Sequence, residues 1–190
     1  MQPEIYWTTL GIWVVWDLYW SYSARKVKDA ASKEPAASRA FHLTLLASAY
    51  FLLLLPFSPQ NPLSTRFLPP LGPLTFFGLG LQLLSLGLAV WARRALGRNW
   101  SGRVTIKEDH ELVTHGPYRW LRHPIYTGAI FAAIGSTLAL GRVSGLLAIP
   151  LFMLLFTRKI RIEERFLSQH FGERYAEYRR HTYALVPPIW

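Results

Sequence analysis

Residues 74–91 read LTFFGLGLQLLSLGLAVW, eighteen residues without an Asp, Glu, Lys or Arg. A helix of about 20 mainly apolar residues spans the hydrocarbon core of a bilayer and satisfies its own backbone N–H and C=O groups. On the N-terminal side lie two more runs of this character. Residues 41–57 are seventeen without a charge, and residues 5–22 are eighteen with Asp17 as their one charge. Buried helices of a soluble protein are the competing reading, and three such runs within 91 residues speak against it. On the C-terminal side, 126–140 and 143–156 are apolar and separated only by Gly141 and Arg142, as in a tight helical hairpin. At about 1.5 Å per residue each arm covers only ~21–23 Å. Either neighbouring residues extend the arms, or the bilayer thins, or the hairpin re-enters without crossing. The expected fold is an all-α integral membrane protein with about five transmembrane helices, the last two a tight, fully crossing or re-entrant hairpin. Residues 1–92 would hold three spans (about 5–22, 41–57 and 74–91). Residues 93–190 would hold a cytoplasmic loop, the hairpin (about 126–156) and a cytoplasmic C-terminal helix.

Composition agrees. Of 190 residues, 51% are hydrophobic and 17% charged, with 21 Lys+Arg against 11 Asp+Glu and a net charge of +10. The apolar content excludes a disordered basic tail, and the length suits one domain. The absence of cysteine excludes disulfides, thiolate metal sites and a cysteine nucleophile. The N-terminus has no signal-peptide layout: no basic residue precedes the first run and no small-residue cleavage site follows it. Nineteen of the 21 basic residues fall in 23–40, 92–125 and the tail, and the other two, Arg66 and Arg142, fall in the alternate connections. The positive-inside rule then puts the N-terminus outside and the C-terminus, with the polar segments, in the cytoplasm. The charge is accounted for without nucleic acid, whose binders carry it as a patch on a folded soluble domain. The connection 58–73, with Pro59, Pro62, Pro69, Pro70 and Pro73, reads as a stiff, non-helical loop.

Chemistry must sit in the polar segments. Residues 97–128 read GRNWSGRVTIKEDHELVTHGPYRWLRHPIYTG. Their middle, 104–113, alternates too weakly for a strand. His115-Gly116-Pro117-Tyr118 is a turn, and Arg122-His123-Pro124 leads into the fourth apolar run with Pro124 suited to a first helical turn. Free N–H groups at such a start attract a carboxylate or phosphate. In the tail, Lys159 and Glu163 share a helix face, and Glu163-Glu164 is an acidic pair close to the membrane, able to bind a cationic group. Ile160, Phe166, Phe171, Tyr175 and Tyr178 would lie on the membrane or on other helices. Plainer readings exist: surface histidines at His115 and His123, and a salt-bridged solvent face for the glutamates. The spacing of His110, His115 and His123 fits no metal motif, so no metal is expected. Asp17 is ionisable at membrane depth, and a structural role near the cytoplasmic boundary is favoured. Trp13, Trp16 and Trp20 share a packing face, and Gly128 with Ala132 marks a helix–helix contact. No P-loop, GxGxxG, HExxH or GxSxG pattern occurs.

Together, His110-Glu111-Leu112-Val113, Gly116-Pro117-Tyr118, Arg122-His123-Pro124-Ile125-Tyr126-Thr127-Gly128 and Glu163-Glu164 with Phe171-Gly172 and Tyr175 resemble the isoprenylcysteine carboxyl methyltransferase family of integral membrane enzymes. The resemblance runs from about residue 93 to the C-terminus. It implies S-adenosyl-L-methionine as methyl donor, contacted by His110, Glu111, Leu112, Val113, Tyr118, His123, Pro124, Ile125, Tyr126 and Glu163. It places Arg122 and Glu164 at the reacting groups. Lys159, where eukaryotic members carry an arginine, and Arg161 would face the acceptor. That difference leaves the acceptor open, because Lys lacks the bidentate fork of Arg. A lipid-like acceptor, an isoprenylcysteine-type carboxylate or a phospholipid amine, would enter from the bilayer and the soluble donor from the cytoplasm. Two alternatives remain: an NAD(P)H-dependent sterol-type reductase, which shares the RHPxYxG and tail motifs, and a non-enzymatic membrane scaffold.

Overall fold

The computed structural model describes residues 2–25, 36–100 and 111–187. These form six α-helices: α1 (Pro3–Ala24), α2 (Ala36–Leu54), α3 (Pro73–Leu96), α4 (Pro124–Leu140), α5 (Val143–Phe171) and α6 (Glu173–Arg180), with short 3-10 turns and no strand among the described residues. α1, α3 and α4 each start with proline in the first turn, where a missing N–H costs nothing. By length and composition α2, α3 and α5 are long and apolar enough to cross a membrane, and α4 is a shorter apolar helix. α1 has 22 residues. Its many Trp and Tyr side chains lower its hydropathy, but they pack it into the same bundle. Trp13 stacks on Phe152 of α5, meets Tyr50 of α2 edge to face, and donates from Nε1 to Ser136 Oγ of α4 at 2.9 Å. The Trp13–Trp16–Trp20 face is thus a packing face. Asp17 accepts a bond from Tyr50 Oη at 3.4 Å.

The closest helix pair is α3 against α4. A Cβ on Gly135 would lie 2.6 Å from Gly78 O, and one on Gly128 would lie 2.5 Å from Ser85 O. The backbones touch, and Ala132 beside these glycines is fully buried.

One element differs from expectation. The second arm of the hairpin and the first part of the tail are a single helix, α5, of 29 residues. No Gly or Pro lies between Phe156 and Phe171, and the charged residues there are good helix formers. The helix stops at Gly172, whose φ is 53°. At ~1.5 Å per residue α5 is ~43 Å long, so its charged half projects beyond the apolar run ending at residue 156. At the far end of the hairpin, Gly141 turns the chain at φ 61°, and Arg142 reaches carbonyls at the end of α2, Leu53 O at 3.2 Å and, just past the helix, Leu55 O at 3.1 Å. The opposite end, where α4 starts and α5 emerges, carries the charged cluster.

Candidate functional site

The cluster is assembled from four short pieces. The turn Gly116–Arg119 brings Tyr118 inward, with Tyr118 only 6% exposed. Residues 120–123 follow, with Leu121 in a parallel bridge to Tyr183. Beside them runs the chain end: Arg122 N donates to Tyr183 O at 2.8 Å, His123 N to Ala184 O at 3.1 Å, and Tyr183 N to Trp120 O at 3.0 Å. Thr127 Oγ1 fastens Leu185 O at 2.8 Å. This strap fixes the backbone of Arg122 and His123 against α5. Glu163 and Glu164, adjacent on α5, point ~100° apart and straddle the imidazole.

Arg122 Nε donates to Glu164 Oε1 at 2.7 Å, and Arg122 Nη1 donates to Thr182 O. His123 Nε2 lies 3.4 Å from Glu164 Oε1, and its Nδ1 lies 3.5 Å from Glu163 Oε2. Tyr126 Oη donates to Glu163 Oε1. Arg179 of α6 stands 3.6 Å from Glu164 Oε2. Lys159 Nζ lies 5.5 Å from the Tyr126 ring centre, one helical turn from Glu163. The protonation states follow from these contacts. Burial opposes the charged form of His123, but bonds to Glu163 and Glu164, and their charges, outweigh it and raise its pKa. Burial also opposes ionisation of the glutamates. For Glu163 the His123 bond and the Lys159 charge prevail and lower its pKa; for Glu164 the His123 and Arg122 bonds bring it down to about 2. Burial, then the Glu163 charge, pushes the Tyr118 phenol up, so it stays protonated. The site is an imidazole between two carboxylates that favour its charged form, with the guanidinium groups of Arg122 and Arg179 on Glu164.

An aromatic column leaves this cluster for the apolar interior. His123 and Tyr126 stack at 5.6 Å, Tyr126 and Phe156 at 4.9 Å, Phe156 and Phe152 at 6.2 Å, and Phe152 and Trp13 at 6.2 Å, with interplanar angles of 7° to 22°.

Of the residues singled out in the sequence, Arg122, His123, Tyr126, Glu163 and Glu164 meet directly, with Lys159 beside them. Tyr118 adjoins through Tyr178, whose Oη donates to Tyr118 O at 2.7 Å. Pro124 and Ile125 are buried at the start of α4, and Val113 packs against the Tyr118–Ile125 cluster. Glu111 is exposed, its N–H 3.4 Å from Asn99 Oδ1, and Leu112 is half-buried. His110 lies outside the described residues. Arg161 is exposed, and no contact joins it to the cluster among the described residues. Ile160 on α5 and Tyr175 on α6 are buried. Sequence reasoning missed Arg179, Thr182 and the strap. The available signal was the short, mainly apolar Thr182–Val186 segment before Pro187.

The profile of the phospholipid methyltransferase family matches residues 74–174, more than half of the chain. The chain belongs to the phospholipid methyltransferase family. It is 30% identical to a probable protein-S-isoprenylcysteine O-methyltransferase of Oryza sativa subsp. indica over 184 residues, 90% of this chain and 96% of the relative. It is 34% identical to the protein-S-isoprenylcysteine O-methyltransferase of Tribolium castaneum over 136 residues, 67% of this chain and 47% of that one. Among solved structures it resembles the eukaryotic intramembrane Ras methyltransferase ICMT (isoprenylcysteine carboxyl methyltransferase), with a TM-score of 0.59 and 26% identity over 80% of this chain and 52% of that one. The protein is therefore an integral membrane methyltransferase of the isoprenylcysteine carboxyl methyltransferase type. The reductase and scaffold readings are set aside by these relatives, and the cluster that straddles His123 is this methyltransferase's candidate active site.

Proposed function

We propose that this methyltransferase takes its methyl group from S-adenosyl-L-methionine and transfers it to a lipid-like acceptor arriving from the bilayer. The observation that carries this reading is the meeting of Arg122, His123, Tyr126, Glu163 and Glu164 where the aromatic column joins the charged half of α5. The donor set fits. A carboxylate kept ionised at Glu163 suits an ammonium group, and aromatic faces suit a sulfonium. Tyr175 Oη, buried with no hydrogen-bond partner among the described residues, is a spare polar group in the charge field of Glu164 and Arg122. When bound, S-adenosylmethionine supplies an electrophilic methyl group on a sulfonium cation. Glu163 would hold the amino-acid end, with Tyr118, His110 to Val113 and His123 to Tyr126 lining the rest. Arg122 would orient the acceptor by charge-assisted hydrogen bonds, with Glu164 fixing its fork, and Lys159 and Arg161 would supply positive charge on the acceptor side.

The chemistry favours a carboxylate acceptor over a phospholipid amine. A carboxylate arrives ionised and needs no base, whereas an amine must first lose a proton. Glu164, with its pKa near about 2, is a weak base for that task. The aromatic column would carry the acceptor's apolar chain.

The same reading crosses the membrane with α1 to α5, leaves the N-terminus outside, and keeps the C-terminus and the cluster in the cytoplasm. Nineteen basic residues against two support it. It assigns the first 92 residues mainly to the membrane scaffold and 93–190 to the catalytic core.

The test uses tritiated S-adenosylmethionine with purified protein in detergent, offered an isoprenylated cysteine and, separately, extracted phospholipids. Label in the isoprenylated cysteine is expected. Label in phospholipid alone would replace the acceptor. S-adenosylhomocysteine at 100 times its Kd should stabilise the protein by ~2.7 kcal/mol. No stabilisation would overturn the donor.

A further inference from the structure

The two basic residues that stand apart from the other nineteen, Arg66 and Arg142, are brought together at the end of the bundle opposite the catalytic cluster. They face each other across an antiparallel bridge, with Phe67 N donating to Gly141 O at 2.9 Å and Val143 N to Thr65 O at 2.9 Å. Residues directly opposite in such a bridge project to the same side, and like charges there repel. Among the described residues no carboxylate pairs with either guanidinium.

Arg142 is only 5% exposed, and its Nη atoms cap α2, but its Nε is buried without a hydrogen-bond partner. A buried, unsatisfied N–H on a charged group costs free energy unless something accepts from it. Burial and, less, the Arg66 charge lower the Arg142 pKa, with Tyr6 opposing them. Both arginines line one hollow with Gln2 and Thr75, walled by Leu140, with about 260 Å³ of empty space including its open mouth. Its enclosed part is narrow, with room for about one water-sized group.

We propose that this hollow binds a phosphate-class anion, one oxygen seated between Arg66 and Arg142 and the rest at the mouth. The site is about 25 Å from the catalytic cluster, the length of α4. It therefore stands independently of the methyl donor and acceptor. At the end of a membrane-crossing bundle the anion is supplied either by a phospholipid headgroup or by free phosphate. Arginine suits both, because its planar fork matches phosphate oxygens. The placement also accounts for two arginines in connections otherwise empty of basic residues.

The experiment is thermal unfolding of the full chain in a non-ionic detergent, with inorganic phosphate in one arm and dioctanoyl phosphatidylglycerol in the other. Wild type, Arg66→Gln, Arg66→Glu and Arg174→Gln are compared. Saturating probe should raise the Tm of wild type and Arg174→Gln by roughly 2–4 °C or more. Arg66→Gln should lose that rise. Arg66→Glu should also lose it, with an unliganded Tm above that of Arg66→Gln, because a carboxylate opposite Arg142 takes the anion's place. A response to both probes assigns the bare phosphate group, and a response to the lipid alone assigns the headgroup. No response in wild type, an unchanged response in Arg66→Gln, or an Arg66→Glu protein less stable than Arg66→Gln would overturn the proposal.

Discussion

The His123 pKa is raised because two carboxylates surround it, and theirs are lowered because His123, Arg122 and Lys159 face them. The coupling has a signed pH dependence. A histidine with a raised pKa contributes stability in full below its ordinary value of 6.5, and loses it as pH climbs through the raised value. The glutamates, with lowered pKa values, contribute in full above 4.5 and lose it as pH falls, Glu164 through about 2. The cluster is thus at full strength between 4.5 and 6.5. The Tm difference between wild type and His123→Asn should be constant in that window and shrink above it. A gap independent of pH would remove the imidazolium from the account. For binding, Glu163→Gln removes a charge-assisted hydrogen bond, and such bonds contribute ~1.5–3 kcal/mol. Calorimetry with S-adenosylhomocysteine should then show affinity reduced by roughly 10- to 150-fold. Glu173→Gln, exposed on α6, should match wild type. Arg122→Lys keeps the charge but loses the fork that spans Glu164 and Thr182. It should lower kcat by at least about tenfold with little change in donor affinity. An unchanged kcat would leave Arg122 a structural residue.

Among the helices, the α3–α4 seam depends on the absence of side chains. On Gly135 a new Cβ would meet backbone at Gly78 O (2.6 Å) and Gln82 N (2.7 Å), neither able to swing aside. Gly135→Ala should therefore destabilise by about 1–3 kcal/mol, read as a lower Tm in detergent. Gly87 lies on the same α3 with nothing within 4 Å of a Cβ, so Gly87→Ala should be neutral or stabilising by up to about 1 kcal/mol. Equal effects at both positions would mean that backbone freedom, not helix contact, sets the outcome. The small-residue spacing of Gly128 and Ala132 made this seam legible in the sequence. Its partners Gly78, Ser85 and Ala89 were not, because glycines and alanines in a uniformly apolar run carry no directional signal.

For the whole molecule, the chain end holds the site together. Residues 182–185 bond Arg122, His123 and Thr127 through the backbone, and Arg122 also reaches Thr182 O. Truncation after His181 should leave the helical bundle folded, with helical circular dichroism near wild type. Methyl transfer should fall by at least about tenfold, since misplacing a positioned group by ~1 Å can cost ~100-fold. Full activity of the truncated protein would deny the strap its positioning role. Local chemistry already announced the membrane-embedded helices, the hairpin and the cluster's principal residues, since apolar runs, a helix-starting proline and an acidic pair are written along the chain itself. Folding in three dimensions settled what no local pattern encodes: that α5 runs unbroken from the apolar hairpin into the charged tail, that the strap returns from sixty residues away to Arg122 and His123, and that Arg66 meets Arg142. The reason is physical. Backbone pairing between distant segments uses N–H and C=O groups that every residue carries, so its register is set by the packing of whole helices rather than by side chains that can be read in order.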